Sequence, residues 1–348
     1  MKAIADHSAR TAGRRALLRR QRWLLARRTV QLLVLTAFLL GPWTGLWLAR
    51  GTLAASEWFG AIVLSDPFVA LQALLAHHTL AGPALLGACL VAAVWALLGG
   101  RSFCGWVCPI GPVTDLAAWL RTKWHLPALL ARHRPDRRLR YGILIVVLIL
   151  SATLGTVAWE TVNPITLLHR ALIFGLVGGY GVTLAVFLFD LLILPRGWCG
   201  HVCPVGAFYG VLGRAAVVHV SATHSDRCTR CGDCFRVCPE PHVIAPALYG
   251  TGTDPGPLIT NADCIRCARC LDVCDEEVFT WAAVGFTPAG TRGTPSGNGS
   301  RTAGPVPDAA MIPTGTAAPN IAGAALAESA TAPPIPIPAK RKKSRRLQ

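Results

Sequence analysis

The residues best suited to chemistry are eight cysteines in two runs of the same spacing. The first run has the pattern C-x2-C-x2-C-x3-C-P, and the second repeats its cysteine spacing 36 residues later, from Cys264. This spacing is typical of ferredoxins with two [4Fe-4S] clusters, in which three thiolates of one run bind one cluster and the fourth binds the other. The sequence therefore predicts one cluster at Cys228, Cys231, Cys234 and Cys274, and a second at Cys264, Cys267, Cys270 and Cys238.

Zinc and disulfide bonds are the other common uses of clustered cysteines. Zinc sites use C-x2-C pairs separated by a longer loop, and seldom two runs of three cysteines. Disulfides form in oxidising compartments, whereas the charge pattern described below places these thiols in the cytoplasm. The second run carries Asp275 where the first has proline, which changes the turn but removes no ligand. Iron–sulfur clusters are the preferred interpretation.

Two further pairs of cysteines follow the pattern Cys-x3-Cys-Pro. The stretch "RSFCGWVCPIG", with Cys104 and Cys108, returns 95 residues later as "RGWCGHVCPVG", with Cys199 and Cys203. Four thiols near one membrane face can form a shared metal site or a redox pair. They can equally be small buried residues at two tight turns, since free cysteines are commonly buried and inert. Both interpretations stay open, whereas the isolated Cys89 is expected to serve packing alone.

The elements that must position these cysteines are four apolar runs. A membrane-spanning helix needs about 20 apolar residues, and runs of about that length cover residues 29–49, 80–98, 141–159 and 172–195. Hydrophobic residues make up 52% of the sequence, which is high for a soluble domain. One run could be a buried helix of a soluble core, but that alternative is disfavoured for all four together. The sequence predicts an all-α membrane protein with four transmembrane helices.

The four runs form two duplicated pairs. Besides the repeated cysteine motif, "SDPF" at Ser65 has a looser counterpart in "VNPI" at Val162. Each copy therefore reads as an outer Asp-Pro or Asn-Pro turn, a span, and a Cys-x3-Cys-Pro motif at the inner face. Duplicated spans also occur in transporters, but the sequence shows none of the broken helices that transport would require.

Charge predicts the orientation of the spans. The chain carries 34 Lys and Arg against 18 Asp and Glu, and the basic residues cluster beside apolar runs instead of on a nucleic-acid-binding domain. Nine precede the first span, one lies in residues 50–79, eight lie in 99–140 and one lies in 160–171. Because basic loops stay in the cytoplasm, both termini are expected there. The basic N-terminus is expected to stop translocation, not to form a cleaved signal.

In combination these motifs resemble the NapH family. The resemblance is carried by "GPWTGLW", "SDPF", "LQALL", "FCGWVCPIGPVTDLAAWL", "WETVNPI", "LFDLL", "GWCGHVCPVGAFYGVLG" and "CTRCGDCFRVCPEPHV", and extends from about residue 19 to about residue 280. It implies a four-span membrane subunit with two cytoplasmic [4Fe-4S] clusters, in a quinol dehydrogenase that serves periplasmic nitrate reductase. It also implies two partners, the periplasmic iron–sulfur subunit NapG and the multihaem quinol dehydrogenase NapC.

Two other functions stay open beside electron transfer from quinol. One is a redox maturation factor for a periplasmic metalloenzyme, as the similar protein MauN suggests. The other is a structural anchor for a periplasmic iron–sulfur subunit. Nucleic acid is not an expected partner in any of these roles, whereas membrane lipid and the quinol pool are.

A quinol site needs an apolar slot and polar groups that accept protons. Ionisable residues in or beside the spans are the candidates: Asp66, His77, His78, Glu160, His169 and Asp190. Glu160 and His169 are the preferred pair, because they flank the Asn163-Pro164 turn. The alternative is that they are satisfied helix ends or interfacial side chains.

The expected domain organisation has four parts. A basic cytoplasmic N-terminus covers residues 1–28, the membrane domain 29–198, and a small cytoplasmic ferredoxin-like domain with two [4Fe-4S] clusters 199–284. Residues 285–348 form a low-complexity tail that is expected to be disordered, because it lacks the apolar periodicity of a core. The terminal "KRKKSRR" either lies on anionic lipid or is a solvated end with no role.

Overall fold

The computed structural model describes residues 21–127, 129–130, 135–250 and 256–284. These residues form a mainly helical fold with one three-stranded and one two-stranded antiparallel sheet. The prediction of an all-α protein is therefore wrong in this respect, because the chain forms short strands where it reverses direction outside the apolar helices. The basic residues before position 21 and the predicted disordered tail lie outside the described residues.

Four apolar helices correspond to the four predicted spans. The first, second, third and fourth are Arg22–Thr44, Gly82–Leu98, Leu139–Leu154 and Val177–Ile193, the last ending in a π-helical turn from Phe189. Among the described helices, only the first is long and apolar enough to cross a membrane, judged by length and composition alone. The predicted third and fourth spans are longer than the helices because left-handed glycines limit the helices. Gly155, with φ 63°, ends the third helix, and Gly175, with φ 70°, lies before the start of the fourth.

The remaining elements are short. Two helices begin at a capped proline, at Pro67–Leu75 and Pro164–Phe174. Other helices lie at Ser102–Trp106, Ile110–Lys123, Pro204–Leu212, Asp233–Val237, Ile244–Tyr249 and Arg269–Val273. A π-helical turn lies at Trp198–Val202, and 3-10 turns at Ala158–Thr161, Gly213–Ala215, Ser225–Arg227 and Pro241–Val243. The strands are Ala49–Gly51, Ala55–Trp58, Ile62–Ser65, Val218–Ser221 and Thr280–Ala283.

The three-stranded sheet fills the loop between the first and second apolar helices. Its hairpin turns at Phe59 and Gly60, which both have positive φ, as tight hairpin turns require. The third strand packs against the second apolar helix at Gly87, where an added Cβ would meet the Val63 carbonyl oxygen at 2.2 Å. Glycine at this position therefore lets the hairpin lie directly on the helix.

The duplicated Asp-Pro and Asn-Pro turns both become helix N-termini. The Asp66 carboxylate accepts hydrogen bonds from the backbone N–H groups of Phe68 and Val69, and the Asn163 side chain accepts one from Ile165. Proline follows each cap, at the position where its missing N–H costs nothing. Both copies thus start a short helix in the same way.

The cysteine module, residues 218–283, contains both predicted cluster-binding runs. Its two strands pair antiparallel, with Val218 opposite Ala283 and Ser221 opposite Thr280. Each run of three cysteines leads into a one-turn helix, Asp233–Val237 or Arg269–Val273, and the two helices contact each other. Two runs of one spacing therefore form one pseudo-symmetric unit around a small apolar core.

Two of the apolar helices begin at the cysteine module. At the start of the first helix, the backbone N–H of Leu24 donates to the Asp272 carboxylate at 3.0 Å. At the start of the third, the Arg140 guanidinium pairs with the Asp263 carboxylate. Both carboxylates belong to the second cysteine run or its flank.

The other two apolar helices end there. The Gly99 carbonyl, at the end of the second helix, accepts a hydrogen bond from Arg266 Nη1 at 2.5 Å. Just after the fourth helix, Arg196 donates to the Val237 carbonyl at 3.2 Å. The first and third apolar helices therefore contact the module at their N-terminal ends, and the second and fourth at their C-terminal ends.

Candidate iron–sulfur centre

The two cysteine runs share an unusual backbone conformation. In each, the second residue after the first cysteine is an arginine with positive φ, Arg230 at 56° and Arg266 at 48°. The fourth residue after the first cysteine is also left-handed, with φ 77° at Gly232 and 58° at Ala268. Left-handed residues curl the chain back on itself, and they cost energy for any residue other than glycine. The two cysteine runs therefore share one local backbone conformation.

The structure also brings the fourth cysteine of each run to the other run. Cys234 interacts electrostatically with Cys228, Cys231 and Cys274, while Cys238 interacts with Cys264 and Cys267. A small cavity beneath the second run is lined by all four members of the second predicted set, Cys238, Cys264, Cys267 and Cys270. The groups assembled in space are therefore the two sets that the spacing predicts, and their binding of clusters stays a prediction.

The chemistry of these thiols suits an iron–sulfur cluster. Burial is the main cause that raises the pKa of Cys234 to about 12, and the neighbouring thiols Cys228 and Cys231 contribute to the same shift. A buried thiol of this kind becomes a thiolate when a metal centre supplies positive charge. Among the described residues, no group of three or more His, Cys, Asp or Glu is arranged to hold a single metal ion. In a [4Fe-4S] cluster each cysteine binds a different iron, so its ligands do not converge on one point.

Backbone amides add to this environment. The N–H of Arg230 donates to Cys228 Sγ at 3.4 Å, and the N–H groups of Phe235 and Arg266 bond to the sulfurs of Cys234 and Cys264. Hydrogen bonds to the sulfurs tune the reduction potential of an iron–sulfur cluster. Both loops therefore present donors of the kind that a cluster requires.

A buried ion-pair network joins the module to the apolar helices. Arg101 and Arg140, each 1% exposed, pair with Asp263, and Arg101 donates to Glu240 Oε1 at 3.2 Å. Burial alone would raise the pKa of Asp263, but the hydrogen bond from His242 and the two guanidinium groups hold it well below its ordinary value. Asp263 precedes the ligand candidate Cys264, so this network fixes the second run in place.

A second network reaches the same run from the other side. The Asp115 carboxylate lies between Arg28, at 2.5 Å, and Arg269. Burial opposes ionisation of Asp115, and the adjacent Arg269 overcomes it and holds the pKa low. The first apolar helix, helix Ile110–Lys123 and the second cysteine run are thereby joined through one carboxylate.

The Cys-x3-Cys-Pro motifs lie directly beside the second run. At Gly105, between the cysteines of the first motif, an added Cβ would lie 2.9 Å from the Ile265 carbonyl oxygen and 3.7 Å from the Cβ of Cys267. The Trp106 indole N–H donates to the Arg266 carbonyl at 3.0 Å. The first motif thus packs against the backbone next to the predicted ligand Cys267, although the two segments are about 160 residues apart in sequence.

The two residues predicted for quinol binding lie in different environments. Glu160 accepts a hydrogen bond from the Asn163 side chain at 2.7 Å and one from Thr166 at 3.3 Å. His169 is 1% exposed and lies edge-on to Phe38, with ring centroids 4.6 Å apart. Within the described part of the chain, neither ring nitrogen of His169 has a hydrogen-bond partner. The structure therefore places Glu160 in a polar cluster and His169 in an apolar one.

Sequence reasoning missed Tyr209 and Arg266. The buried Tyr209 hydroxyl donates to Asp66 Oδ2 at 3.0 Å, and its ring stacks on Phe103 at 4.9 Å. Asp66 in turn interacts electrostatically with Glu160. Spacing in the sequence could not pair Tyr209 with Asp66, because 143 residues separate them. The available signal for Tyr209 was its position five residues after Pro204 of the repeated motif.

Three family models match this chain. A 4Fe-4S binding domain matches residues 80–127. Two 4Fe-4S dicluster domains match residues 197–244 and 221–275. The eight cysteines of the cysteine module and both Cys-x3-Cys-Pro motifs lie inside the matched ranges. No solved structure matches the chain.

Curated relatives match most of its length. The ferredoxin-type protein NapH of Escherichia coli is 48% identical over 280 residues, 78% of this chain and 94% of the relative. The methylamine utilization ferredoxin-type protein MauN of Methylorubrum extorquens is 48% identical over 276 residues, 79% and 94% of the two chains. NapH of Haemophilus influenzae is 42% identical over 261 residues, 75% and 90%.

The fold, the paired cysteine runs and the matched domains define an iron–sulfur protein of the ferredoxin type. Its function is electron transfer through 4Fe-4S centres. The chain belongs to the family of ferredoxin-type proteins that includes NapH and MauN.

Proposed function

We propose that this protein is a multi-pass electron-transfer subunit of the bacterial inner membrane, with two [4Fe-4S] clusters in its cysteine module. In this proposal it oxidises quinol, or relays electrons from quinol, toward a periplasmic nitrate reductase pathway. The resemblance to NapH supports this function, and no contact of the described residues favours a purely structural anchor.

Four crossings of the membrane are supported by the order in which the apolar helices meet the module. Because the helices contact the module alternately at their N-terminal and C-terminal ends, they must run alternately away from the module and toward it. Their outward faces are apolar: Leu86, Val146 and Leu184 are all more than half exposed. Exposed apolar side chains around a bundle are stable in hydrocarbon and costly in water. The three helices shorter than a bilayer is thick are accommodated by local thinning of the bilayer.

The module is proposed to lie in the cytoplasm together with both termini. The start of the first helix contacts Asp272, and basic residues of the 99–140 segment, Arg101 and Arg140 among them, also face the module. Because basic segments remain in the cytoplasm, the side that carries the module is the cytoplasmic one.

Two clusters are proposed from the two assembled cysteine sets. Bound [4Fe-4S] clusters supply one-electron transfer at potentials set by hydrogen bonds, charge and solvent exposure. The residues of this chain hold the second set against the apolar helices through Arg101, Arg140 and Arg266. Their positive charge compensates the negative charge of thiolate-bound clusters and favours the reduced form.

The quinol assignment rests on one polar cluster among the apolar helices. Asp66, Glu160 and Tyr209 come from three separate elements, and Asp66 interacts with both of the others. Oxidation of a quinol releases two electrons and two protons, so carboxylates inside an apolar bundle are suitable proton acceptors. Tyr209 holds Asp66 in place on one side, and Asn163 holds Glu160 on the other. His169, which packs edge-on against Phe38, makes no hydrogen bond to this cluster among the described residues.

The proposed partners follow from the resemblance to NapH. They are a periplasmic iron–sulfur subunit similar to NapG and a multihaem quinol dehydrogenase similar to NapC, together with the quinol pool and membrane lipid. These partners would carry electrons to the outer side.

Redox titration of the purified protein by electron paramagnetic resonance, with and without a quinol analogue, tests the proposal. We expect two interacting [4Fe-4S] signals from the module and their reduction by the quinol analogue. Clusters that form normally but never respond to quinol would overturn the quinol assignment. A deletion strain whose only defect is an immature partner metalloenzyme would favour the maturation role of a MauN-like protein.

A further inference from the structure

The duplicated Cys-x3-Cys-Pro motifs are not used by the two clusters of the module. We propose that Cys104, Cys108, Cys199 and Cys203 together bind a third iron–sulfur cluster, between the apolar helices and the module. The two motifs contribute two thiols each. Formation of this cluster does not depend on quinol.

The second cysteine of each motif accepts the same pair of backbone hydrogen bonds. Cys108 Sγ accepts hydrogen bonds from the backbone N–H groups of Ile110 and Gly111. Cys203 Sγ accepts the equivalent bonds from Val205 and Gly206. Both loops have the sequence Cys-Pro-Ile/Val-Gly, and each leads into a helix, which adds its positive N-terminal dipole.

The rest of the two loops also corresponds. An added Cβ at Gly111 would lie 3.3 Å from the Cys104 carbonyl oxygen, and one at Gly206 would lie 3.5 Å from that of Cys199. In both copies the start of the helix therefore lies close to the first cysteine of its own motif. A shared geometry in two copies indicates one site with two related halves, since a residue that only fills space needs no paired donors.

The four thiols are close enough to interact with one another. Cys199 interacts electrostatically with Cys104, Cys108 and Cys203, and Cys108 also interacts with Cys104 and Cys203. Cys108 and Cys203 are 5% and 7% exposed. The duplication thus gathers four thiols, two of them on buried residues and two on half-buried ones, from motifs that lie 95 residues apart.

The match to family models identifies the chemical class of ligand. The 4Fe-4S binding domain that matches residues 80–127 covers only three cysteines, Cys89, Cys104 and Cys108. Cys89 is exposed in the middle of the second apolar helix, far in sequence from any other cysteine. Cys104 and Cys108 are therefore the thiols available to a cluster in this segment, and the second motif supplies the missing two.

Positive charge surrounds the set. Arg101 donates a side-chain hydrogen bond to Cys104, and Arg140 also interacts with that thiol. More guanidinium groups than carboxylates line the cavity beside Cys104 and Cys199. The four guanidinium groups are those of Arg27, Arg101, Arg196 and Arg269, and the two carboxylates are those of Asp115 and Glu240. A cluster held by four thiolates is an anion, and buried guanidinium groups offset its charge.

The position of the set gives it a role in electron transfer, and this part of the inference depends on the proposed function. On one side, Tyr209 interacts with Cys104 and Cys108 and hydrogen-bonds to Asp66 of the polar cluster. On the other side, Gly105 lies against Cys267 of the second cysteine set. The third site therefore lies between the candidate quinol residues and the module.

Iron and acid-labile sulfide counts on the purified full-length protein test the cluster itself. Three clusters predict about twelve irons per chain, whereas the module alone predicts about eight. Mössbauer spectra of protein labelled with ⁵⁷Fe should show the additional iron in a cluster environment. A count of about eight irons, or one zinc ion in place of the additional iron, would overturn the inference, and this measurement requires no variant.

Substitutions then assign the ligands. Cys108→Ala and Cys203→Ala should each lose about one third of the iron, while both module signals in the electron paramagnetic resonance spectrum persist. Cys89→Ala is the matched control and should keep the full count. A variant with Cys231→Ser and Cys267→Ser combined should keep the third cluster, at about four irons. Full iron content in Cys108→Ala would contradict the ligand assignment.

A failure of the relay can be separated from a failure of the site. If twelve irons are present but the quinol analogue reduces none of them, the third cluster stands and the proposed quinol function falls. If the analogue reduces the module clusters at the normal rate in Cys203→Ala, the site is not on the path between quinol and the module.

Discussion

The Tyr209 hydroxyl donates a hydrogen bond to Asp66 Oδ2 across 3.0 Å. This contact joins the start of a helix in the first repeat to the helix that follows the second Cys-x3-Cys-Pro motif. It connects the polar cluster proposed to accept protons from quinol with the cysteines proposed to bind a third cluster.

Asp66→Asn should remove the proton-accepting group without removing the helix cap. Asparagine caps a helix as well as aspartate does, and the equivalent residue of the second repeat, Asn163, does so already. We expect the rate of cluster reduction by a quinol analogue to fall about 100-fold or more, as when a general base is lost. Stopped-flow absorbance measures this rate, with iron content as the check on folding.

Tyr209→Phe is the companion variant, since it leaves the carboxylate of Asp66 and removes only its donor. A charge-assisted hydrogen bond contributes about 1.5–3 kcal/mol, so a roughly tenfold or greater fall in the same rate is expected. Tyr180→Phe is the control, because the Tyr180 hydroxyl donates only to the Ala171 carbonyl and its side chain is exposed. Normal rates in Asp66→Asn and Tyr209→Phe would exclude this cluster as the quinol site.

Cys231→Ser should remove the first module cluster and Cys267→Ser the second. Each thiolate binds one iron and has no nearby replacement. Electron paramagnetic resonance of each variant should show that one member of the interacting pair of signals is lost and that the other has become isolated. Both module signals intact in either variant would contradict the assignment of its ligand set.

Arg266→Lys should loosen the module from the apolar helices. The Arg266 side chain bridges the Val218 carbonyl, at 2.6 Å, and the Gly99 carbonyl, at 2.5 Å. A lysine cannot make this forked contact, and each charge-assisted hydrogen bond lost costs about 1.5–3 kcal/mol. Hydrogen exchange of the segment around Cys264 should accelerate, and the second cluster should be lost faster to an iron chelator.

Arg230 is the matched control for this substitution. It occupies the same motif position and the same left-handed conformation as Arg266, but it is exposed. Arg230→Lys should change stability by less than about 0.5 kcal/mol. Equal exchange rates in the two variants would show that the motif position matters and the contact with Gly99 does not.

Labelling from outside the inner membrane tests the orientation. A cysteine at Ala55, in the exposed part of the hairpin between the first two apolar helices, should react with an impermeant maleimide in intact spheroplasts. A cysteine at Lys123 should react only after the membrane is permeabilised. Unmodified protein, whose exposed Cys89 lies within a helix proposed to contact lipid, gives the background. The reverse pattern would invert the proposed topology.

Motifs with fixed spacing could be read from the sequence, and contacts between distant segments could not. The spacing of the cysteine runs predicts both assembled sets, because the geometry of a cluster is local to each loop. The duplicated prolines predicted turns, and Asp66 and Asn163 became caps. Arg266 gave no such signal, because it occupies the same position in its cysteine run as the exposed Arg230 does in the other run. Only the contact with Gly99 distinguishes the two arginines. The ends of the apolar helices were misplaced where a left-handed glycine such as Gly155 ended a helix that apolar composition alone would extend.

Arg266 lies between two predicted ligands of the second cluster, and its guanidinium fills the space next to Gly99 so closely that an added Cβ there would lie 2.2 Å from its Nε. The folding of this cysteine loop and the packing of the end of the second apolar helix therefore depend on the same side chain. A chain whose loop is unfolded should leave the Gly99 carbonyl without its Arg266 donor, so a defect in the loop should also loosen the end of the helix.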